Sequence, residues 1–242
     1  TSKLNSDPLG YFGDVKNSYL NIFEDNKIFY ELVSEKTGMA PTILFGHSMG
    51  SFVVRAMYSR PEYSSLYKAF IFSSTKGPES LAGVGLALSK FFTAIGLGKK
   101  KGHLTNVLAF GTYNSKIKHP KTAFDWLSTD EHEVSKYVEH PLCGFFFTNK
   151  GFVDLLSIIS EIQSEDAADN YSEKPCLFTY GDQDPVTGYG KGVEKVISEE
   201  LPKLKKVFHK PVMANVSGFS VDSDKTEPED TGFTAAMASL SE

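Results

Sequence analysis

The sequence predicts an α/β fold in which a mostly parallel sheet is flanked by helices. Three adjacent segments predict it: a short apolar run at 42–45, an apolar segment at 51–59 and a second apolar run at 69–73. The first and third are typical of buried strands, and the second is typical of a buried helix. Parallel strands need a long crossover, usually a helix, so this order favours a parallel sheet. The 242 residues suffice for one core with an insertion.

The flanking segments are predicted from the same kinds of pattern. Residues 1–13 are polar and contain Gly and Pro, which favours a loop. Residues 17–35 carry apolar side chains at helical spacing, and a Gly followed by a Pro ends that helix. Residues 176–180 are typical of another buried strand, and 188–206 of a helix.

The middle of the chain differs in character and predicts a helical insertion. Residues 81–97 are rich in Ala, Leu and Phe, and 152–162 are apolar at helical spacing after a candidate N-cap at Thr148 or Asn149. The region after 210 is acidic without apolar periodicity. We therefore expect four parts: the first part of the core (1–78), the insertion (79–165), the second part of the core (166–209) and a disordered tail (210–242).

Composition and charge exclude several classes of function. The net charge of −5 argues against a nucleic-acid partner. No apolar run reaches the roughly 18–20 residues of a membrane-spanning helix, so we expect no stable membrane insertion. Cys143 and Cys176 give neither a disulfide framework nor a metal-binding pattern, which predicts a reducing cytoplasm and no metal. Arg55 and Arg60 are expected to be surface partners of nearby acids. The oligomeric state is left open.

The most specific motif is Gly46-His47-Ser48-Met49-Gly50, between a predicted strand and a predicted helix. This G-x-S-x-G pattern predicts a nucleophile elbow, a strained turn that exposes the Ser48 hydroxyl at the carboxyl edge of the sheet. Side chains at Gly46 and Gly50 are expected to collide with neighbouring elements or to block close approach. The Met49 N–H, at the start of the helix, is the predicted oxyanion donor. The alternative is an ordinary strand–helix turn with an incidental serine.

A serine nucleophile needs a base and an acid that orients the base. In this type of fold the chain order is serine, acid, histidine. Asp182 and Asp184 follow the predicted strand 176–180, and either they supply the acid or both only form the turn. His47 is expected to point away from the elbow. His209 is the one histidine after Asp184 and hence the candidate base, with a purely structural or surface role as the alternative.

Four segments carry a resemblance to a known family: 46–51 (GHSMGS), 124–130 (FDWLSTD), 141–145 (PLCGF) and 181–186 (GDQDPV). Over about residues 8–206 the chain resembles the α/β-hydrolase superfamily, in particular monoacylglycerol lipase-like and lysophospholipase-like enzymes, also classed as serine aminopeptidase (S33)-type. The resemblance implies that Ser48 is the nucleophile and Asp184 the triad acid. It also implies that the Met49 N–H is one oxyanion donor and that 79–165 is a helical cap shaping an apolar acyl pocket.

Two departures from the family pattern accompany this resemblance. Only 47 residues precede Ser48, and none forms the His-Gly loop that supplies the second oxyanion donor in relatives. No Arg-His-Glu-type segment follows the last strand, and His209 lies 25 residues after Asp184 in unfamiliar surroundings. A gene fragment with a shifted reading frame at its end explains both departures. We therefore expect the first strands and the native end to be missing.

These observations lead to one main hypothesis and two alternatives. The main hypothesis is a serine hydrolase that cleaves carboxylic esters, such as monoacylglycerols or lysophospholipids, through an acyl-enzyme and without a cofactor. The first alternative is an inactive fragment or pseudoenzyme of the same family, without the oxyanion loop and the native histidine. The second is a binding module that uses 81–97 and 152–162 as a partner or membrane surface.

Overall fold

The computed structural model describes residues 6–78, 81–199 and 212–215, and these form two compact units. The sheet unit comprises residues 23–78, 161–199 and 212–215. The helical unit comprises residues 6–22 and 81–160. The described helices and strands, in chain order, are α1 (Leu20–Lys36), β1 (Ile43–His47), α2 (Met49–Tyr58), α3 (Pro61–Ser64), β2 (Ala69–Ser73), α4 (Ala82–Phe92), a π-helical turn (Thr93–Leu97), α5 (His103–Phe110), two 3-10 turns (Tyr113–Lys116 and Asp125–Leu127), α6 (Glu131–Glu139), α7 (Asn149–Ile162), α8 (Glu165–Asp169), β3 (Cys176–Tyr180), α9 (Lys191–Glu199) and β4 (Val212–Asn215).

The strand–helix–strand prediction is confirmed. The predicted strands 69–73 and 176–180 coincide with β2 and β3 residue for residue. The predicted strand 42–45 and helix 51–59 correspond to β1 and α2, and the helix begins earlier, directly after the serine of the motif. The helix predicted at 17–35 is α1. Apolar runs and glycine turns therefore located these elements to within a few residues. The predicted burial holds for β2 and β3 and is wrong for β1, where Ile43 and Phe45 are exposed at the edge of the described sheet.

The sheet is parallel throughout its described part, in the order β1-β2-β3-β4. One row across the sheet is formed by Gly46, Phe72, Phe178 and Met213. The carboxyl ends of the strands consequently meet at one edge, which is where open α/β sheets place their sites. The predicted α/β class, a parallel sheet flanked by helices, is confirmed.

Strand β4 corrects part of the prediction that residues 210–242 form a disordered tail. It pairs in parallel with residues 177–180 of β3. The tail was predicted from its average acidic composition, which does not detect a four-residue run that completes the hydrogen bonds of a neighbouring strand. The rest of this tail, and the part of the predicted helix 188–206 after Glu199, lie outside the described residues.

Aromatic packing fixes α2 against the middle of the sheet. The ring of Tyr58 lies 4.8 Å from that of Phe70 and 5.5 Å from that of Phe72, both in edge-on geometry. The Tyr58 hydroxyl donates a hydrogen bond to the Lys174 carbonyl at 2.7 Å. Each such buried aromatic side chain contributes roughly 1.5–3 kcal/mol relative to an exposed one. The last residue of α2 is thereby held against the sheet.

The prediction that Arg55 lies on the surface is wrong, because this α2 residue is only 1% exposed. Its guanidinium donates hydrogen bonds to neighbouring hydroxyl and carbonyl oxygens, which offset the cost of burying the charge. Arg60, by contrast, is half-buried and forms an ion pair with Glu161, as predicted.

Residues 6–22 belong to the helical unit, although sequence analysis assigned them to the first part of the core. The Gly10 carbonyl accepts hydrogen bonds from the N–H and the hydroxyl of Thr148, at 3.1 and 3.0 Å. Ser18 also contacts a buried ion pair of this unit, in which Lys150 Nζ lies 2.7 Å from Asp154 Oδ2. The Ser18 hydroxyl accepts from Lys150 and donates to Asp154, so the buried ion pair has a polar partner.

Of the two candidate N-cap residues of α7, Thr148 and Asn149, the structure supports Thr148. The Thr148 hydroxyl accepts the Gly151 N–H at 3.0 Å, the bond expected of an N-cap residue. Phe152 and Ile158, from the apolar stripe of α7, are fully buried. Within the part of the chain that the structure describes, no helix is long and apolar enough to cross a membrane.

Candidate active site

Ser48 joins β1 to α2 in a strained backbone conformation. Its dihedral angles are φ 52° and ψ −122°, a combination that residues with a side chain rarely adopt. The Ser48 N–H continues the sheet by donating to the Ser73 carbonyl at 2.9 Å, while its own carbonyl accepts the Ser51 N–H at 2.9 Å. The strand and the helix therefore both fix Ser48, and the abrupt change between them falls on this residue. Such strain costs on the order of 1–3 kcal/mol and is concentrated at functional sites.

The two glycines of the motif have different roles. A Cβ atom on Gly46 would lie 2.4 Å from the Gly50 carbonyl oxygen, a contact that real structures do not contain. A Cβ atom on Gly50 would meet no described atom within 4 Å. The expected collision is thus confirmed for Gly46 and is not found for Gly50. A Cβ atom on Gly46 would point at the first turn of α2, whereas Gly50 lies in that turn with open space beside it.

The Ser48 hydroxyl is available for chemistry. Ser48 is the N-cap residue of α2, yet its side chain caps none of the helix N–H groups and makes no hydrogen bond to any described residue. The side chain is partly exposed. Met49 is the first residue of α2, where N–H groups have no partner within the helix and the helix dipole favours negative charge. A developing oxyanion beside Ser48 can therefore accept a hydrogen bond from the Met49 N–H.

His47 is exposed and lies at the end of β1. Its Nδ1 atom is 3.1 Å from the Ser73 hydroxyl at the end of β2. The imidazole thus links the carboxyl ends of two neighbouring strands beside the elbow.

Asp184 is fixed within the loop that follows β3. Its Oδ1 atom accepts the Val186 N–H at 2.8 Å, and its carbonyl accepts the Tyr189 N–H and the Thr187 hydroxyl, both at 2.9 Å. Its Oδ2 atom makes no hydrogen bond to the described residues and can accept one from an imidazole. Asp184 thus also forms the turn, which was the alternative role for both aspartates, and the Asp182 side chain is exposed.

Ser48 and Asp184 follow the carboxyl ends of β1 and β3, at the same edge of the sheet. The two strands are separated by β2, so their axes are about 10 Å apart. Both side chains therefore start from the same edge of the sheet, with the end of β2 between them. His209, the candidate base, lies outside the described residues.

Tyr180 borders the Asp184 loop at the end of β3. Burial raises the pKa of its hydroxyl, and the nearby Glu194 carboxylate raises it further, so Tyr180 stays neutral at physiological pH. Its ring leaves no room for a side chain at Gly190, where a Cβ atom would lie 2.7 Å away. Among the described residues, no group of three or more His, Cys, Asp or Glu side chains is arranged to hold a metal ion.

Sequence reasoning missed the residues that hold this loop. The Thr187 hydroxyl accepts the Gly190 N–H at 3.0 Å and donates to the Asp184 carbonyl, and Thr187 is fully buried. Gly77, after β2, lies against Gly192 at the start of α9. The partners of Thr187 are only three residues away, but a threonine in a predicted loop does not by itself indicate which backbone groups it bonds. Gly77 gave no signal because its partner, Gly192, is remote in sequence.

The fold and the elbow together define a hydrolase of the α/β class. The chain belongs to the serine aminopeptidase (S33) family of hydrolases, whose profile matches residues 6–210. The resemblance stated from the sequence motifs is thereby confirmed. No sequence among the curated proteins matches the chain.

Solved structures with the same fold include esterases and lipases. A thermostable carboxyl esterase from Bacillus coagulans is 23% identical with a TM-score of 0.76, over 95% of this chain and 72% of that one. A lipase in its open form is 16% identical with a TM-score of 0.74, over 93% and 72%. A monoglyceride lipase from Saccharomyces cerevisiae is 14% identical with a TM-score of 0.61, over 97% and 74%. At these identities the likeness shows the fold.

Proposed function

We propose that the protein is a serine hydrolase of carboxylic esters and that Ser48 is its nucleophile. The observation that carries the proposal is the strained backbone of Ser48, which holds an unbonded hydroxyl at the N-terminus of α2. An ordinary strand–helix turn has no need of this strain, and a capping serine would use its hydroxyl on the helix N–H groups. Membership of the S33 family supports the same assignment.

The proposed reaction proceeds through an acyl-enzyme. Ser48 Oγ attacks the carbonyl carbon of the ester while a histidine takes its proton, and the Met49 N–H donates to the oxyanion. The intermediate collapses, the C–O bond of the ester breaks, and the alcohol leaves with the proton from the histidine. Water then attacks the acyl group by the same steps, releasing the carboxylic acid and restoring Ser48. Asp184, through its Oδ2 atom, orients the histidine.

For the substrate we propose a monoacylglycerol, a lysophospholipid or a related ester with an apolar acyl chain. The sequence motifs shared with lipase-like relatives support this, as do the apolar segments of the helical unit. The cytoplasmic location stays a prediction that rests on the use of cysteine.

Hydrolysis of a panel of esters tests the proposal. We expect the purified chain to cleave p-nitrophenyl esters from acetate to palmitate, and monoolein and lysophosphatidylcholine, with a preference among acyl lengths. Ser48→Ala should abolish all hydrolysis, and Ser135→Ala, which removes an exposed hydroxyl from α6, should leave it unchanged. A folded chain that cleaves none of these esters would be the inactive relative, and the proposal would fail.

His209 is proposed as the base, and it requires its own test. His209→Ala should reduce kcat on the order of 10⁴-fold, whereas His132→Ala, at an exposed position of α6, should not. Full activity of His209→Ala would assign the base to another residue and leave the role of Ser48 intact.

A further inference from the structure

We infer that Gly77 and Arg55 are positioning residues for Asp184, acting through the short segment 74–78 that follows β2. The inference rests on the proposed function, because it assumes that Asp184 orients the base. All the residues involved lie in the sheet unit. The observation behind it is the backbone-to-backbone contact between Gly77 and Gly192.

Segment 74–78 is held on the side of α2 by Arg55. The guanidinium donates to the Lys76 carbonyl at 2.8 Å and to the Thr75 hydroxyl at 3.3 Å. Both of these bonds come from Nη1. The second terminal nitrogen, Nη2, donates to the Ile162 carbonyl at 3.3 Å and to the Tyr171 hydroxyl at 3.2 Å. A planar, fully charged group with these four bonds fixes direction as well as distance. Arg55 therefore ties the segment to the same helix that begins at Ser48.

Further bonds restrain the segment on either side of this clamp. The Ser74 N–H donates to the Thr179 carbonyl of β3 at 2.8 Å. The Gln163 side chain donates to the Gly77 carbonyl at 3.0 Å. Thr75 and Gly77 are buried. The segment is thus a rigid surface and does not move aside easily.

The loop of residues 181–190, which carries Asp184 and is called the acid loop below, leads into α9, and the second residue of α9, Gly192, contacts this surface. A Cβ atom on Gly77 would lie 2.4 Å from the Gly192 carbonyl oxygen and 2.5 Å from its α-carbon. The Gly192 N–H donates to the Thr187 carbonyl at 2.9 Å, and the Thr187 hydroxyl donates to the Asp184 carbonyl at 2.9 Å. A displacement of Gly192 is consequently transmitted through Thr187 to Asp184. Because Gly77 has no side chain, the acid loop can approach segment 74–78, and through it α2, as closely as it does.

Gly77→Ala is the direct test, and Gly83→Ala is its matched control. Both add one methyl group, but a Cβ atom on Gly83 meets no described atom within 4 Å. We expect Gly77→Ala to lower kcat for a short ester by about 10- to 100-fold with little change in KM, since a misplacement of about 1 Å has effects of this size. Gly83→Ala should retain wild-type kcat. An unchanged kcat in a folded Gly77→Ala variant would overturn the inference.

A double-mutant cycle separates positioning from a general loss of structure. If Gly77 acts through Asp184, Gly77→Ala should cause no further loss in the Asp184→Asn background. If it only disturbs the fold, it should reduce the residual activity of Asp184→Asn by the same factor as in the wild type. That second result would contradict the positioning role.

Amide hydrogen exchange gives a readout that does not depend on ester hydrolysis. Gly77→Ala should accelerate exchange at the N–H groups of Val186 and Tyr189, which bond to Asp184, and Gly83→Ala should not. Faster exchange in a chain that cleaves no ester would refute the proposed function and retain the positioning role. Unchanged exchange would refute the positioning role.

If Gly77→Ala does not fold, Arg55→Lys is a second variant that tests the positioning role. Lysine preserves the charge but cannot form the forked bonds to segment 74–78 and to Ile162. As for Gly77→Ala, we expect a lower kcat, little change in KM and faster exchange at Val186 and Tyr189. The loss of kcat should be smaller, about tenfold or less. A folded Arg55→Lys variant with unchanged kcat and unchanged exchange at Val186 would also overturn the inference.

Discussion

The elbow and the acid loop lie at the same edge of the sheet, but they hold their functional residues in different ways. In the elbow, backbone strain falls on the functional residue itself, since Ser48 has a φ of 52° and an unbonded hydroxyl. In the acid loop, the left-handed backbone falls on neighbours, with φ values of 65°, 60° and 83° at Gly188, Tyr189 and Gly190. Asp184 itself is fixed by hydrogen bonds. This difference suits the proposed roles, because a nucleophile must be accessible to the substrate, whereas an acid that orients a histidine must be fixed in place.

The elbow and the acid loop also differ in how far along the chain their supporting residues lie. The elbow depends mainly on adjacent residues, namely Gly46, the strand that leads into it and the helix that follows it. The acid loop depends on Gly77 and Arg55, which are more than 100 residues earlier in the chain. Substitutions in the elbow should therefore act locally, and those at the acid should act through its supports.

The largest expected effect distinguishes the two carboxylates of the acid loop. Asp184→Asn should reduce kcat on the order of 10⁴-fold, because an amide cannot hold the histidine in the required tautomer. Asp182→Asn, at an exposed position, should stay close to the wild type. Steady-state kinetics on one ester measures both. Equal losses in the two variants would contradict the assignment of Asp184 as the acid.

The second prediction compares the two glycines of the elbow by their effect on stability. Gly46→Ala should lower the free energy of unfolding by about 1–3 kcal/mol or more, because its Cβ atom collides with backbone. Gly50→Ala should be neutral or stabilising by up to about 1 kcal/mol, since it adds an alanine to α2 in open space. Urea unfolding with both variants measures the difference. A destabilised Gly50→Ala variant would refute the distinction between them.

The smallest expected effect concerns the strain at Ser48. Ser48→Gly and Ser48→Ala both remove the hydroxyl, but only glycine adopts a φ of 52° without cost. We expect Ser48→Gly to be more stable than Ser48→Ala by about 1 kcal/mol. The midpoints of urea unfolding provide the comparison. Equal midpoints would mean that the elbow stores no strain.

Particular residues show how far the sequence predicts this molecule. β2 and β3 were located residue for residue because each is a short apolar run between turn residues. Ser48 was identified because five adjacent residues define its turn. β4 was missed because an acidic composition concealed a run of four residues. Arg55 was placed on the surface because its oxygen partners, such as the Ile162 carbonyl, are distant in sequence and invisible to pattern analysis.

The most direct test of the central claim is covalent labelling with a fluorophosphonate, read by peptide mass spectrometry. The probe forms a bond from Ser48 Oγ to phosphorus with loss of fluoride, and it reacts with serines that a base activates. We predict a single labelled peptide, the one that contains Ser48, in the wild type and in Ser135→Ala, and no labelled peptide in Ser48→Ala. A folded wild-type chain that remains unlabelled at Ser48 would contradict it.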